Sequence, residues 1–121
     1  MATYSKHLLS GSTNGKHIDV AASSSPGTLI HTAVSGTSSL DEIWIYATNA
    51  SSSSLQLTIE WGAAATGMDM DSAIQVTIPS DGGYTLVVPG LLLQNSLAVR
   101  AYSAGGTGAI MVNGYVNRIT S

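Results

Sequence analysis

Apolar side chains recur along this chain with a period of two. In Leu55-Gln56-Leu57-Thr58-Ile59-Glu60-Trp61 four apolar residues fall on one face, and Gln, Thr and Glu fall on the other. Ile74-Gln75-Val76-Thr77-Ile78 repeats the pattern up to Pro79, and Lys16 to Ala22 alternates as well. A period of two is the mark of a strand with one face buried, and a helix needs 3.6. Thr28 to Val34, Leu40 to Thr48, Tyr84 to Val88, Leu97 to Tyr102 and Ile110 to Ile119 are rich in β-branched and aromatic residues. With a short strand over Tyr4 to Leu9, the count is eight or nine strands and no helix.

Turn chemistry separates these runs. Asn14-Gly15 is a hairpin signal. Ser23 to Gly27, Ser35 to Ser39, Ala50 to Ser54, Ser80 to Gly83 and Ala104 to Gly108 read as loops, the last as a flexible hairpin tip. Parallel strands would need crossover helices, and none is visible. The expected fold is all-β: a single antiparallel β-sandwich over residues 1–121, jelly-roll or Greek-key, with eight or nine strands. The residues leave those two topologies open, although the chain lacks the cysteines of an immunoglobulin framework. Parity places Leu57, Ile59, Val76, Ile78, Val99 and Val112 in the core and leaves Thr58, Gln75 and Glu60 on solvent faces.

Composition narrows the function. Charged residues are 9 % of the chain, so its polar surface is mostly hydroxyl and backbone. Four basic residues cannot track a phosphate backbone, so no nucleic-acid partner is expected. With no cysteine, disulfides, thiol catalysis and Cys-based zinc sites are excluded. The opening residues lead into no hydrophobic run, which predicts a chain without a secretory signal. No apolar stretch approaches a membrane span.

The chemistry-bearing residues are scattered. His7, His17 and His31 read as unrelated surface or edge histidines, and no metal site is expected. Met68-Asp69-Met70-Asp71 offers two carboxylates, too few for a calcium loop, and reads as a solvated loop or a partner contact. Glu60 lacks an evident second carboxylate for glycosidase chemistry. No serine sits in a nucleophile elbow, and Gly105-Gly106-Thr107-Gly108 lacks a phosphate-reaching Lys. The sequon Asn49-Ala50-Ser51 is read as idle. The reading is not an enzyme: no catalytic residue, cofactor or metal is assigned.

Two strands are apolar on both faces. In Glu42-Ile43-Trp44-Ile45-Tyr46-Ala47, Trp44 and Tyr46 oppose the core-facing set, as Met111 and Tyr115 do in the last strand. Trp44, Tyr46, Met111 and Tyr115 are therefore the candidate protein interface.

Four segments resemble small virion proteins of tailed bacteriophages, of the capsid decoration (cement) type. They are His7 to Lys16, Asp41 to Asn49, Leu57 to Gly62 and Gly114 to Ile119. The resemblance implies a β-rich fold without an active site. It also implies self-association (a trimer favoured), docking on the major capsid protein, and residence on the capsid surface after synthesis in the host cytoplasm. The alternative is a carbohydrate- or receptor-binding module of a fibre or lectin-like protein, with Trp44, Tyr46, Trp61 and Tyr84 stacking on sugar rings. A concave cleft with an aromatic floor and an amide or carboxylate rim would mark it.

Overall fold

The computed structural model describes residues 2–63, 73–105 and 108–120. Nine strands follow in order: β1 (Thr3–Leu8), β2 (Ile18–Asp19), β3 (Thr28–Thr32), β4 (Leu40–Asn49), β5 (Leu55–Ala63), β6 (Ala73–Ile78), β7 (Thr85–Leu93), β8 (Ala98–Tyr102) and β9 (Ile110–Thr120). The described residues hold no helix. Met68 to Asp71 and the Gly106-Thr107 pair lie outside the described residues.

All pairings are antiparallel. One sheet has the order β1-β9-β4-β7, with β2 also on β9, and the other has the order β3-β8-β5-β6. The pairs are nested: β1 and β2 with β9, β3 with β8, β4 with β7, and β5 with β6. The folded-over ribbon is closed by β4 on β9 and β5 on β8. Nested pairs wrapped into two sheets are the jelly roll, so the topology is decided in its favour.

The core fills the space between the sheets. Ile43, Ile45 and Ala47 of β4 and Val112 and Val116 of β9 are buried on one side. Leu57, Ile59, Ile78 and Val99 are buried on the other. Of the expected core residues, only Val76 differs, being half-buried at the edge strand β6.

Three further expectations need correction. Asn14 and Gly15 have φ of 56° and 85°, so the tight turn forms. It does not join a hairpin, because β1 and β2 lie end to end along the same edge of β9. The strand expected over Tyr84 to Val88 does not stop there; β7 runs on through Pro89 to Leu93. It can do so because β7 is an edge strand, where a missing N–H forfeits no ladder bond. Thr58 and Glu60 are buried although their faces point away from the core. The segment Ser23 to Gly27 folds onto that face and hydrogen-bonds Glu60.

These positions separate two kinds of burial. Ile59→Ala should cost about 2–4 kcal/mol by opening a core cavity. Thr58→Ala should cost about 1 kcal/mol, above the near-zero effect of a solvent-facing site, and Gln75→Ala should stay within about 0.5 kcal/mol. Urea denaturation of the three variants orders them.

Candidate functional site

The outer face of the β1-β9-β4-β7 sheet collects all four candidate interface residues. In the β4–β9 register Trp44 stands opposite Tyr115, Tyr46 opposite Asn113 and Thr48 opposite Met111. All four candidates are half-buried. The Trp44 and Tyr115 rings stack with centroids 6.1 Å apart and planes 13° from parallel. The Trp44 indole N–H donates to Glu42 Oε1 at 2.9 Å, and Asn117 Nδ2 donates to the same oxygen. These two bonds hold the Glu42 carboxyl below its ordinary value. The Lys6 ammonium lies 4.9 Å from the centre of the Tyr115 ring. Around this centre Tyr4, Leu8, Tyr84, Leu86 and Leu92 are exposed. They make an apolar surface as wide as the sheet. Isolated exposed apolar residues are ordinary; a contiguous patch marks a contact surface.

A shallow concavity of about 330 Å³ interrupts the face, lined by Tyr46, Tyr84, Asn113, Gly114 and Tyr115. Tyr84 meets Tyr46 edge to face and shares a hydrogen bond with His17. Position 114 admits only glycine, since a Cβ there would sit 1.9 Å from the Trp44 carbonyl oxygen. The Asn113 amide is spent within the chain: Oδ1 accepts from the Gly114 N–H at 2.9 Å, and Nδ2 donates to the Gly15 carbonyl at 3.0 Å. The aromatic walls of a sugar site are thus present, but the rim amide is already engaged. Of the aromatics considered for stacking, Trp44, Tyr46 and Tyr84 share this face, whereas Trp61 lies in the other sheet and packs against the core.

Buried polar groups form two networks that the alternation did not foretell. Asp41 is fully buried and accepts Arg118 Nε at 2.7 Å, Arg118 Nη2 at 3.0 Å, His31 Nε2 at 2.8 Å and the Val34 N–H at 3.0 Å. His31 is therefore no surface histidine: it is buried on β3, and its bond to Asp41 of β4 joins the two sheets. The Ser10 N–H donates to its Nδ1 at 2.9 Å, which assigns the ring proton to Nε2. An Asp–His pair invites a catalytic reading, yet the second ring nitrogen meets a backbone amide and no nucleophile, so the pair acts as a brace. Burial would raise the Asp41 pKa, but the hydrogen bonds from Arg118 and His31 outweigh it and hold the carboxyl below 3.8. Burial also keeps His31 below 6.5, against the pull of Asp41.

Glu60 forms the second network. It is fully buried, with Oε1 accepting the Gly27 N–H at 2.7 Å and Oε2 accepting the Ser25 hydroxyl at 2.5 Å. It thus pins the β2–β3 connection onto the sheet. The structure does not bring Glu60 together with Asp41 or Glu42: the three carboxylates occupy the outside of one sheet, the interior, and the outside of the other. Asn49 is buried and uses its amide on Ser51, Ser53 and Ile78, which makes the sequon a loop brace. No group of three or more metal-ligating side chains occurs among the described residues.

No family model matches the chain, and no curated protein or solved structure matches it. The functional reading therefore rests on the residues themselves. Sequence parity found the two strands whose outward faces are apolar. It did not place Tyr84 beside Tyr46 as a wall of the concavity, because that residue belongs to the segment before β7, and it missed His31 and Asp41 because their partners are 10 and 77 residues away.

Removing Asp41 should be severe. Asp41→Ala leaves Arg118 and His31 without their anion and should cost about 3–5 kcal/mol in chemical denaturation. The titrations give a sign as well. Below pH 6.5 the unfolded chain protonates His31 more readily than the folded chain does, so stability falls. The Asp41 contribution is full above 3.8 and is lost as pH drops through its lower folded value. Melting temperature followed from pH 7 to pH 3 should decline in those two stages, and His31→Gln should remove the first.

Proposed function

We propose that the protein is a non-enzymatic virion component of the decoration type, which self-associates and docks on the lattice of a major capsid protein. One observation carries the reading: the outer face of the five-stranded sheet is apolar across its strands, centred on Trp44, Tyr46, Met111 and Tyr115. The remaining chemistry supports it. The buried carboxylates are spent on structural hydrogen bonds, and the Asp–His pair faces a backbone amide. Neither leaves a group poised to attack a substrate. A repeating shell rewards such a surface, because several modest contacts made at once give avidity.

The tyrosine-lined concavity favours a second reading, a neutral glycan stacked between Tyr46 and Tyr115. The engaged Asn113 amide weighs against it, since sugar recognition needs free directional partners as well as ring faces. A glycan array probed with the wild-type chain and with Tyr46→Ala separates the two readings. Tyrosine-dependent binding of one glycan class would displace the decoration reading.

Trp44→Ala tests the first reading. It removes the stack on Tyr115 and one bond to Glu42, at a cost of about 1 kcal/mol to the monomer. It should weaken assembly or capsid binding by about tenfold or more, since buried Trp and Tyr anchors dominate interfaces. Co-sedimentation with intact capsids, alongside thermal melts, gives both numbers. Equal losses in binding and in stability would remove Trp44 from the interface.

A further inference from the structure

Three rows across the outer face of the β1-β9-β4 ribbon are self-complementary. In the first, Tyr4 of β1 stands opposite Ile119 of β9, which stands opposite Leu40 of β4. In the second the order is Lys6, Asn117, Glu42, and in the third it is Leu8, Tyr115, Trp44. From these rows we infer that this face takes a second copy of the chain, related by a two-fold axis running along β9. Such a rotation lays β9 on β9 and exchanges β1 with β4. Tyr4 then meets the partner's Leu40, Lys6 meets the partner's Glu42 and Leu8 meets the partner's Trp44. Each of these three pairs matches apolar to apolar or cation to anion and occurs twice, while on the axis Ile119, Asn117 and Tyr115 each meet their own copy once.

The single chain leaves these groups wanting such a partner. Tyr4 and Leu8 are 72 % and 52 % exposed. Strand β1 is exposed along nearly its whole length on both faces and is held by one ladder, to β9. Lys6 and Glu42 lie two strands apart and form no ion pair with each other. Both are held in place: Lys6 over the Tyr115 ring, and Glu42 by Trp44 and Asn117 through Oε1 alone, which leaves Oε2 without a partner among the described residues. Two fixed, opposite, unpaired charges placed symmetrically about β9 are what a two-fold axis along that strand requires. Three strands spaced at about 4.8 Å and side by side over the six residues of β1, about 20 Å, offer roughly 290 Å² of face per copy. That is below the area of a standard specific interface and predicts a weak pair that forms and dissociates with concentration.

This inference rests on the reading of the face as an assembly surface, and charge exchange tests it separately. Sedimentation velocity is run on the wild-type chain, Lys6→Glu, Glu42→Lys and the double exchange. The wild type should form dimers that weaken at about 0.5 M salt, where ion pairs at an interface rim are screened. Each single exchange sets like charges face to face twice and should raise the dimer dissociation constant by about tenfold or more. The double exchange restores opposite charges and should return the constant to within about threefold of wild type. Glu42→Lys also disturbs the bonds to Trp44 and Asn117, so Glu42→Gln, which keeps the acceptor and removes the charge, serves beside it and should give a smaller loss. Circular dichroism confirms that each variant is folded. Single exchanges without effect, a double exchange that does not recover, a strictly monomeric wild type, or a trimer indifferent to the exchanges each overturn the two-fold pair. Capsid co-sedimentation of the same set keeps the two questions apart. Dimers that follow the charge rule but ignore capsids would sink the decoration reading alone. Capsid binding without charge rescue would sink the pair alone.

Discussion

From Leu40 to Asn49, ten consecutive residues of β4 pair with Ile119 to Ile110 of β9. These strands are about 70 residues apart in the chain, and their ladder folds the nested ribbon over into two sheets. It also sets the facing of every side chain on both strands. Ile43, Ile45, Val112 and Val116 turn inward, and Trp44, Tyr46, Met111 and Tyr115 turn outward. A slip of one residue would exchange the two sets. The core and the contact face are therefore the two sides of a single register, and neither can be altered without the other.

Asp41 fixes that register at one end. Its carboxylate reaches Arg118 across the ladder and His31 across the core, so it ties two strands of one sheet to an edge strand of the other. A buried charge of this kind is costly unless all of its lone pairs are engaged, and here four donors engage them. The cost falls more heavily on wrong arrangements than on the right one, because a shifted ladder would leave Asp41 buried and unpaired. Glu60 works the same way on the opposite outer face, where the backbone of Gly27 and the hydroxyl of Ser25 satisfy it.

The two outer faces differ in kind. One carries Glu60, Thr58, Gln75 and a covering loop, while the other carries rings and leucines with three charges, Lys6, Asp19 and Glu42. That asymmetry gives a charge-poor protein one surface suited to another protein. Rings that are stacked and hydrogen-bonded in the free chain lose little freedom on binding, so such a face can contribute to affinity without first being ordered.

Much of this was legible in the residues. The period of two gave eight or nine strands, of which the structure has nine, and the facing of Leu57, Ile59, Ile78, Val99 and Val112, because alternation depends only on a strand having a wet side and a dry side. It also marked Trp44, Tyr46, Met111 and Tyr115 as outward and apolar. Val76 broke the rule because burial at an edge strand depends on what lies beyond it. Thr58 and Glu60 broke it because a loop more than thirty residues away covers their face. His31 and Asp41 were unreadable for the same reason: alternation reports which side a residue faces, but not which distant group meets it there. The sequence by itself determined the strands and their two-sidedness, which are local consequences of periodicity. Only the tertiary structure decided that the four candidate residues share one sheet, that Asn14-Gly15 turns without closing a hairpin, and that Lys6 and Glu42 flank β9. Each of these depends on pairing between strands far apart in the chain, and no local pattern encodes the partner.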